Sequence, residues 1–198
     1  MAFLKTGLGI SLWNVTWHCR AWLLASLVFF LPAASPAQAP LPPAEYQVKA
    51  VFLFNFTQFV QWPAKTFPDD QASLVIGILG DDPFGAYFDK LIAGEKIEGH
   101  PLELRRYRRS DDFTSCHILY ISRSESSQLD KILRRLKGRS VLTVSDAENF
   151  SRLGGMIRFV TENGKIRLRV NLVEAKESEL KISSKLLRPA TIVTRERD

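Results

Sequence analysis

Beyond residue 39, Cys116 and His117 are the nearest this sequence comes to a nucleophile beside its base. They head the apolar run "CHILYI", which reads as a central strand. Neighbours on a strand face opposite sides, so this pair cannot act as nucleophile and base. His100 lies in the turn "EGHP", and no second cysteine or histidine stands at metal-ligand spacing, which argues against zinc or haem. With Cys19 in the N-terminal region, Cys116 is left as a single thiol, for which burial is the expected fate.

The loop "GDDPFG", Gly80 to Gly85, leaves a strand and opens a helix, the place where Gly-rich phosphate loops occur. It contains no G-x-G-x-x-G, and Ala86 stands where a P-loop carries lysine. A structural role is expected instead, with Asp82 capping the helix and Pro83 in its first turn. The acidic pairs Asp81-Asp82 and Asp111-Asp112 sit in turn-like segments, where capping and solvation account for them more simply than acid/base catalysis. No G-x-S-x-G elbow occurs. An enzyme is disfavoured, a dispersed active site stays open, and no cofactor is expected. Arg105, Arg106, Arg108 and Arg109 form the densest basic cluster, which reads as a solvated strand edge kept from self-pairing by charge.

These residues must be positioned by an alternating series of elements. "EYQVKAVFLFNFTQFVQW" is expected to form a first helix with Val51, Phe52, Phe56 and Phe59 buried against a sheet, and with Glu45, Lys49, Gln58 and Gln61 on the surface. Strand 74–80, helix 84–92, strand 101–107, strand 116–122, helix 126–137 and strand 141–144 then follow. Continuous apolar strands alternating with helices imply a largely parallel sheet covered on both faces. "GGMIRFVTENGKIRLRVNL" holds two alternating runs around Asn163-Gly164, the mark of a tight hairpin, with Arg158, Arg167 and Arg169 on one side and Ile157, Phe159, Ile166, Leu168 and Val170 on the other. Two short helical pieces follow, the second capped by Ser183 or Ser184. The fold class expected is α/β: one domain, a roughly six-stranded mixed sheet flanked by helices on both faces, and a C-terminal antiparallel hairpin.

Residues 1–39 contain no acid, two basic residues (Lys5 and Arg20), an apolar run from Ala21 to Leu31, and small residues at Ala37 and Ala39. The run is shorter than the roughly 20 residues a spanning helix needs. A cleaved secretory signal with processing after Ala39 is expected, the alternative being an uncleaved anchor rich in tryptophan (Trp13, Trp17, Trp22). A Pro-rich connector, 40–44, then leads to a single domain over 45–198, mildly basic and placed in the periplasm, where nucleic acid is not an expected partner.

"VKAVFLFNFTQFVQWP", "ILGDDPFG", "CHILYIS", "VLTVSDAENFSRLGGMIRFV", "IRLRVNL" and "LKISSKLLRPA", in this order from Glu45 to about Val193, resemble the YfiR-type family of bacterial periplasmic proteins. The resemblance implies an α/β sandwich with a six-stranded sheet, a tendency to form homodimers, and regulation without catalysis. It further implies restraint of a membrane-bound diguanylate cyclase through its periplasmic portion, with an outer-membrane lipoprotein able to sequester the repressor. Family members pair the cysteine of the "CHI" motif with one in the first strand, where this sequence has Gly77. "AKESEL", around Glu177, also departs from the family's small-residue run.

The expected function is therefore a periplasmic, non-enzymatic repressor of a diguanylate cyclase, acting by protein contact on cyclic-di-GMP and biofilm-type behaviour. The alternative is a periplasmic small-ligand binder or sensor. Exposed surface for a partner is expected before Gly154, at the hairpin tip and in the C-terminal segment, which singles out Phe150, Glu162 and Arg188. Phe150 also fits an ordinary core residue, and Glu162 and Arg188 also fit solvated charges.

Overall fold

The computed structural model describes residues 43–108 and 112–195. The expected signal segment and expected cleavage site after Ala39, most of the connector, Arg109 and Asp111 lie outside the described residues. Chain order is α1 (Ala44–Phe59), β1 (Val60–Gln61), β2 (Leu74–Leu79), α2 (Ala86–Ile92), β3 (Lys96–Ile97), β4 (His100–Tyr107), β5 (Ile118–Ile121), α3 (Leu129–Leu136), β6 (Leu142–Ser145), β7 (Ile157–Glu162), β8 (Lys165–Val170), α4 (Leu172–Glu177), β9 (Lys181–Ile182), α5 (Ser184–Leu187) and β10 (Thr191–Ile192).

The main sheet has the order β10-β8-β7-β6-β5-β2-β4-β3, and β1 pairs with β9 in a second, two-stranded sheet. β4, β2, β5, β6 and β7 run parallel, and β8 returns antiparallel to β7. Six strands carry the sheet, as the sequence implies. β3 and β10 bring the count to eight, and each is two residues long, too short to leave a hydrophobic period. The hairpin turns at Asn163 and Gly164, both with positive φ (50° and 71°), as a type I′ turn requires.

Both faces of the central strands are covered. In β2 every residue is buried, with Leu74, Ile76 and Ile78 joining one core and Val75 and Leu79 the other. The first core takes Leu53 and Phe56 from α1, Phe88 from α2 and Leu186 from α5. The second takes Leu129, Ile132, Leu133 and Leu136 from α3, together with Phe113 and Phe150. Gly77 lies between the two β2 residues of this second core, and a Cβ there would come within 2.7 Å of the Tyr107 ring and 2.9 Å of Leu119. Glycine is what admits that ring.

α1 corrects the sequence expectation in detail. Ala50, Leu53 and Phe56 are its buried apolar residues, Phe52 and Phe59 are only partly buried, and Val48 and Val51 are 45% and 38% exposed. Lys49, expected on the surface, is 1% exposed. The helix is apolar around most of its circumference, so periodicity could not select its inner face. A charge partner did so.

Local boundaries also shift. Asp82 Oδ1 accepts from the amides of Phe84 (2.7 Å) and Gly85 (3.2 Å), closing a turn before α2 instead of capping a helix from residue 84. α3 begins at Leu129 after a 3-10 stretch, Arg123–Gln128, entered through Ser122. α5 is capped by Ser183, whose Oγ accepts from the Lys185 amide.

Candidate functional site

In open α/β sheets ligands favour the crevice at the carboxyl ends of the strands, where strand order reverses. Here that point lies between β2 and β5. Gly80 follows β2 with φ +90°, and a Cβ there would fall 2.4 Å from Ser124 Oγ and 2.8 Å from Glu125 Cγ. The Asp81 amide donates to Ser124 Oγ at 3.0 Å. The 3-10 stretch after β5 thus fills the crevice.

Next to it, Asp146 follows β6 with its side chain 1% exposed. Its Oδ2 accepts from Lys49 Nζ at 2.6 Å and from the Tyr46 hydroxyl at 3.2 Å, with Arg123 Nε 3.3 Å away. Oδ1 accepts from the Tyr120 hydroxyl at 3.0 Å. Glu45 Oε1 lies 2.5 Å from Lys49 Nζ on its other side. Burial opposes charge on Asp146, but the hydrogen bond and charge of Lys49, with Arg123 and Tyr120, hold its carboxyl below the ordinary range. Burial and the Asp146 charge push the Tyr120 and Tyr46 phenols up, so both stay protonated as donors. Both oxygens of Asp146 and both cations in this cluster are engaged, and its effect is to pin α1 to the sheet.

Neither Lys49 nor Asp146 stands out in the sequence. One looks like the polar side of a helix, and the other ends an ordinary strand.

The uncovered surface is the outer face of the β7–β8 hairpin. Ile157, Phe159, Leu168 and Val170 enter the first core, so Arg158, Val160, Glu162, Lys165, Arg167 and Arg169 line the opposite face. The second core, beneath α3, contains no residue of β7 or β8. In register, Arg158 faces Arg169 and Val160 faces Arg167. Arg169 lies 3.5 Å from Glu162, and Glu162, Lys165 and Arg167 are exposed. A groove of about 530 Å³ runs beside this face, lined by Arg158, Val160, Arg123 and Asp146, and Leu153 stands half-open at its rim. Opposed arginines on one sheet face favour an anionic or acceptor-rich surface laid across them.

The three residues singled out from the sequence do not converge. Glu162 lies on this face, at the hairpin tip. Phe150 is fully buried, and a Cβ on Gly155 would meet its ring at 2.2 Å. It supports the Gly154-Gly155 segment leading into β7 from beneath. Arg188 is exposed just after α5, whose Leu186 packs into the first core, so it belongs to a different patch.

Cys116 is buried, donates its thiol to the Phe113 carbonyl (3.2 Å), and has its pKa pushed up by burial to about 12. Among the described residues no helix is long and apolar enough to cross a membrane. No curated protein matches the chain. A family model does match residues 46–191, which include all the strands of the sheet up to the first residue of β10, and by that match the chain belongs to the YfiR/HmsC-like family.

Proposed function

We propose that this protein is a periplasmic, non-enzymatic repressor that restrains an inner-membrane diguanylate cyclase by direct contact, and so governs cyclic-di-GMP and biofilm-type behaviour. Family membership supports this reading, since YfiR/HmsC-like proteins act as regulators of such cyclases. The observation that carries it is the hairpin face, where exposed Glu162, Lys165 and Arg167 border half-buried arginines and, among the described residues, the core beneath α3 does not reach them. A polar, predominantly basic rim suits a regulated, reversible contact.

In this reading Glu162 touches the cyclase and Phe150 acts indirectly, by holding the backbone before β7. Arg188 contributes a second patch, available to the cyclase, to a second copy in a homodimer, or to an outer-membrane lipoprotein that relieves repression.

The test is cellular cyclic-di-GMP with the cyclase co-expressed, together with co-purification. Glu162→Lys is expected to leave folding intact, raise cyclic-di-GMP and weaken co-purification. A doubly charge-reversed face, Glu162→Lys with Arg167→Glu, that folds and still represses like wild type would rule out this surface. Unchanged cyclic-di-GMP on deletion of the whole protein would remove the repressor function itself.

A further inference from the structure

We propose that the cavity at the amino ends of β2, β5 and β6 binds a small organic molecule through a carboxylate or phosphate group. It measures about 670 Å³, within the range of small-molecule sites. Ser73 contributes from before β2, Cys116 and His117 from before β5, Arg139 and Ser140 from before β6, and Arg105 from β4.

What these walls offer is donors. The hydroxyls of Ser73 and Ser140 have no hydrogen-bond partner among the described residues. The Arg139 guanidinium makes no ion pair there, and its electrostatic neighbour is the exposed Asp112. His117 is 93% buried, being 7% exposed, and its Nδ1 accepts from the Val75 amide at 3.0 Å. In the neutral ring the proton must therefore sit on Nε2. That N–H is buried without a hydrogen-bonded acceptor, close to the Thr66 carbonyl but outside hydrogen-bond geometry. A buried donor left unmet is destabilising until an acceptor reaches it.

The acceptors nearby are already used. Glu103 on the rim takes Arg105 through two bonds of 2.6 and 2.9 Å, and Lys65 is held by Glu179 at 2.7 Å. With Arg139 and the His117 N–H as donors and the nearby carboxylates already paired, the site favours a ligand that brings oxygen lone pairs and negative charge. Cys116 adds no chemistry, because its thiol is protonated and bonded to Phe113.

The experiment titrates the purified protein with succinate in one arm and inorganic phosphate in the other, at constant ionic strength, by calorimetry and amide NMR. Saturable binding of either probe, with shifts at Ser73, His117 and Ser140, is expected, and the arm that responds identifies the anion class. Arg139→Gln is expected to weaken binding about tenfold, and Ser140→Ala to weaken it several-fold, while Lys90→Gln on the opposite face changes nothing. Shifts reproduced by sodium chloride alone, absence of saturation to about 20 mM, or equal loss in Arg139→Gln and Lys90→Gln would each overturn the proposal. The result is independent of repression, which the hairpin variants read separately.

Discussion

The two ends of the central strands handle buried polar groups in opposite ways. At the carboxyl end Asp146 gathers Lys49, Tyr46, Tyr120 and Arg123, and Gly80 admits Ser124 into the crevice where such sheets commonly bind ligands. At the amino end, among the described residues, the buried His117 imidazole N–H and the half-buried Ser73 and Ser140 hydroxyls make no hydrogen bond. Saturated polarity holds a fold in place, whereas unsaturated polarity costs stability until a ligand meets it. The usual location of a binding crevice has here become a lock on α1, and the opposite end carries the open cavity.

The strongest way to break this contrast is at the lock. Asp146→Asn leaves buried Lys49 with only the half-exposed Glu45 as a carboxylate partner and is expected to cost about 3 kcal/mol in urea unfolding. The double change Lys49→Met with Asp146→Leu should recover most of that loss. A single-variant cost below about 1 kcal/mol would show that the cluster is not closed.

The second test is acid titration at the other end. Burial, and secondarily the charge of His100, lower the His117 pKa to about 4 from the ordinary 6.5. Its folded pKa is depressed, so the unfolded chain takes up the proton first as pH falls. The stability tied to neutral His117 is complete above pH 6.5 and is lost progressively toward pH 4. This should amount to about 2–3 kcal/mol. Phe67 stacks between the rings of His117 and His100 at 4.5 and 4.0 Å, so Phe67 contacts report the same transition. His117→Gln should flatten that part of the stability profile, and an unchanged slope would refute the assignment.

A smaller effect is expected where the crevice is filled. Gly80→Ala forces a methyl onto Ser124 at positive φ and should cost about 1–3 kcal/mol by thermal unfolding. Little or no loss would mean that the crevice can open.

The smallest effect sharpens the contrast. Ser140→Ala removes a hydroxyl that bonds to nothing among the described residues, and without ligand it should change stability by no more than about 0.5 kcal/mol. A larger loss would mean that the protein itself uses that hydroxyl.

Much of the architecture was legible because its signals are local. "LVIGIL" is apolar at every position and forms a strand buried on both faces. Asn163-Gly164 occupies the turn that demands two positive φ values, and the alternation around it assigns the arginines to one side. The candidate surface was legible in part. Glu162 falls on it, while the apolar character of Phe150 fits an exposed contact and a core residue equally well, and its place under Gly155 decides for the core.

What the sequence alone determined is whatever follows from neighbours in the chain: the strand and helix alternation, and the hairpin with its face assignment. The burial of Lys49, the engagement of Asp146 97 residues away, and the convergence of Ser73, His117 and Ser140 around one cavity were decided only by the tertiary structure. A helix apolar on most sides carries no rotational preference of its own, so a distant carboxylate sets which way it turns. Strand order, likewise, brings together ends that the chain itself keeps far apart.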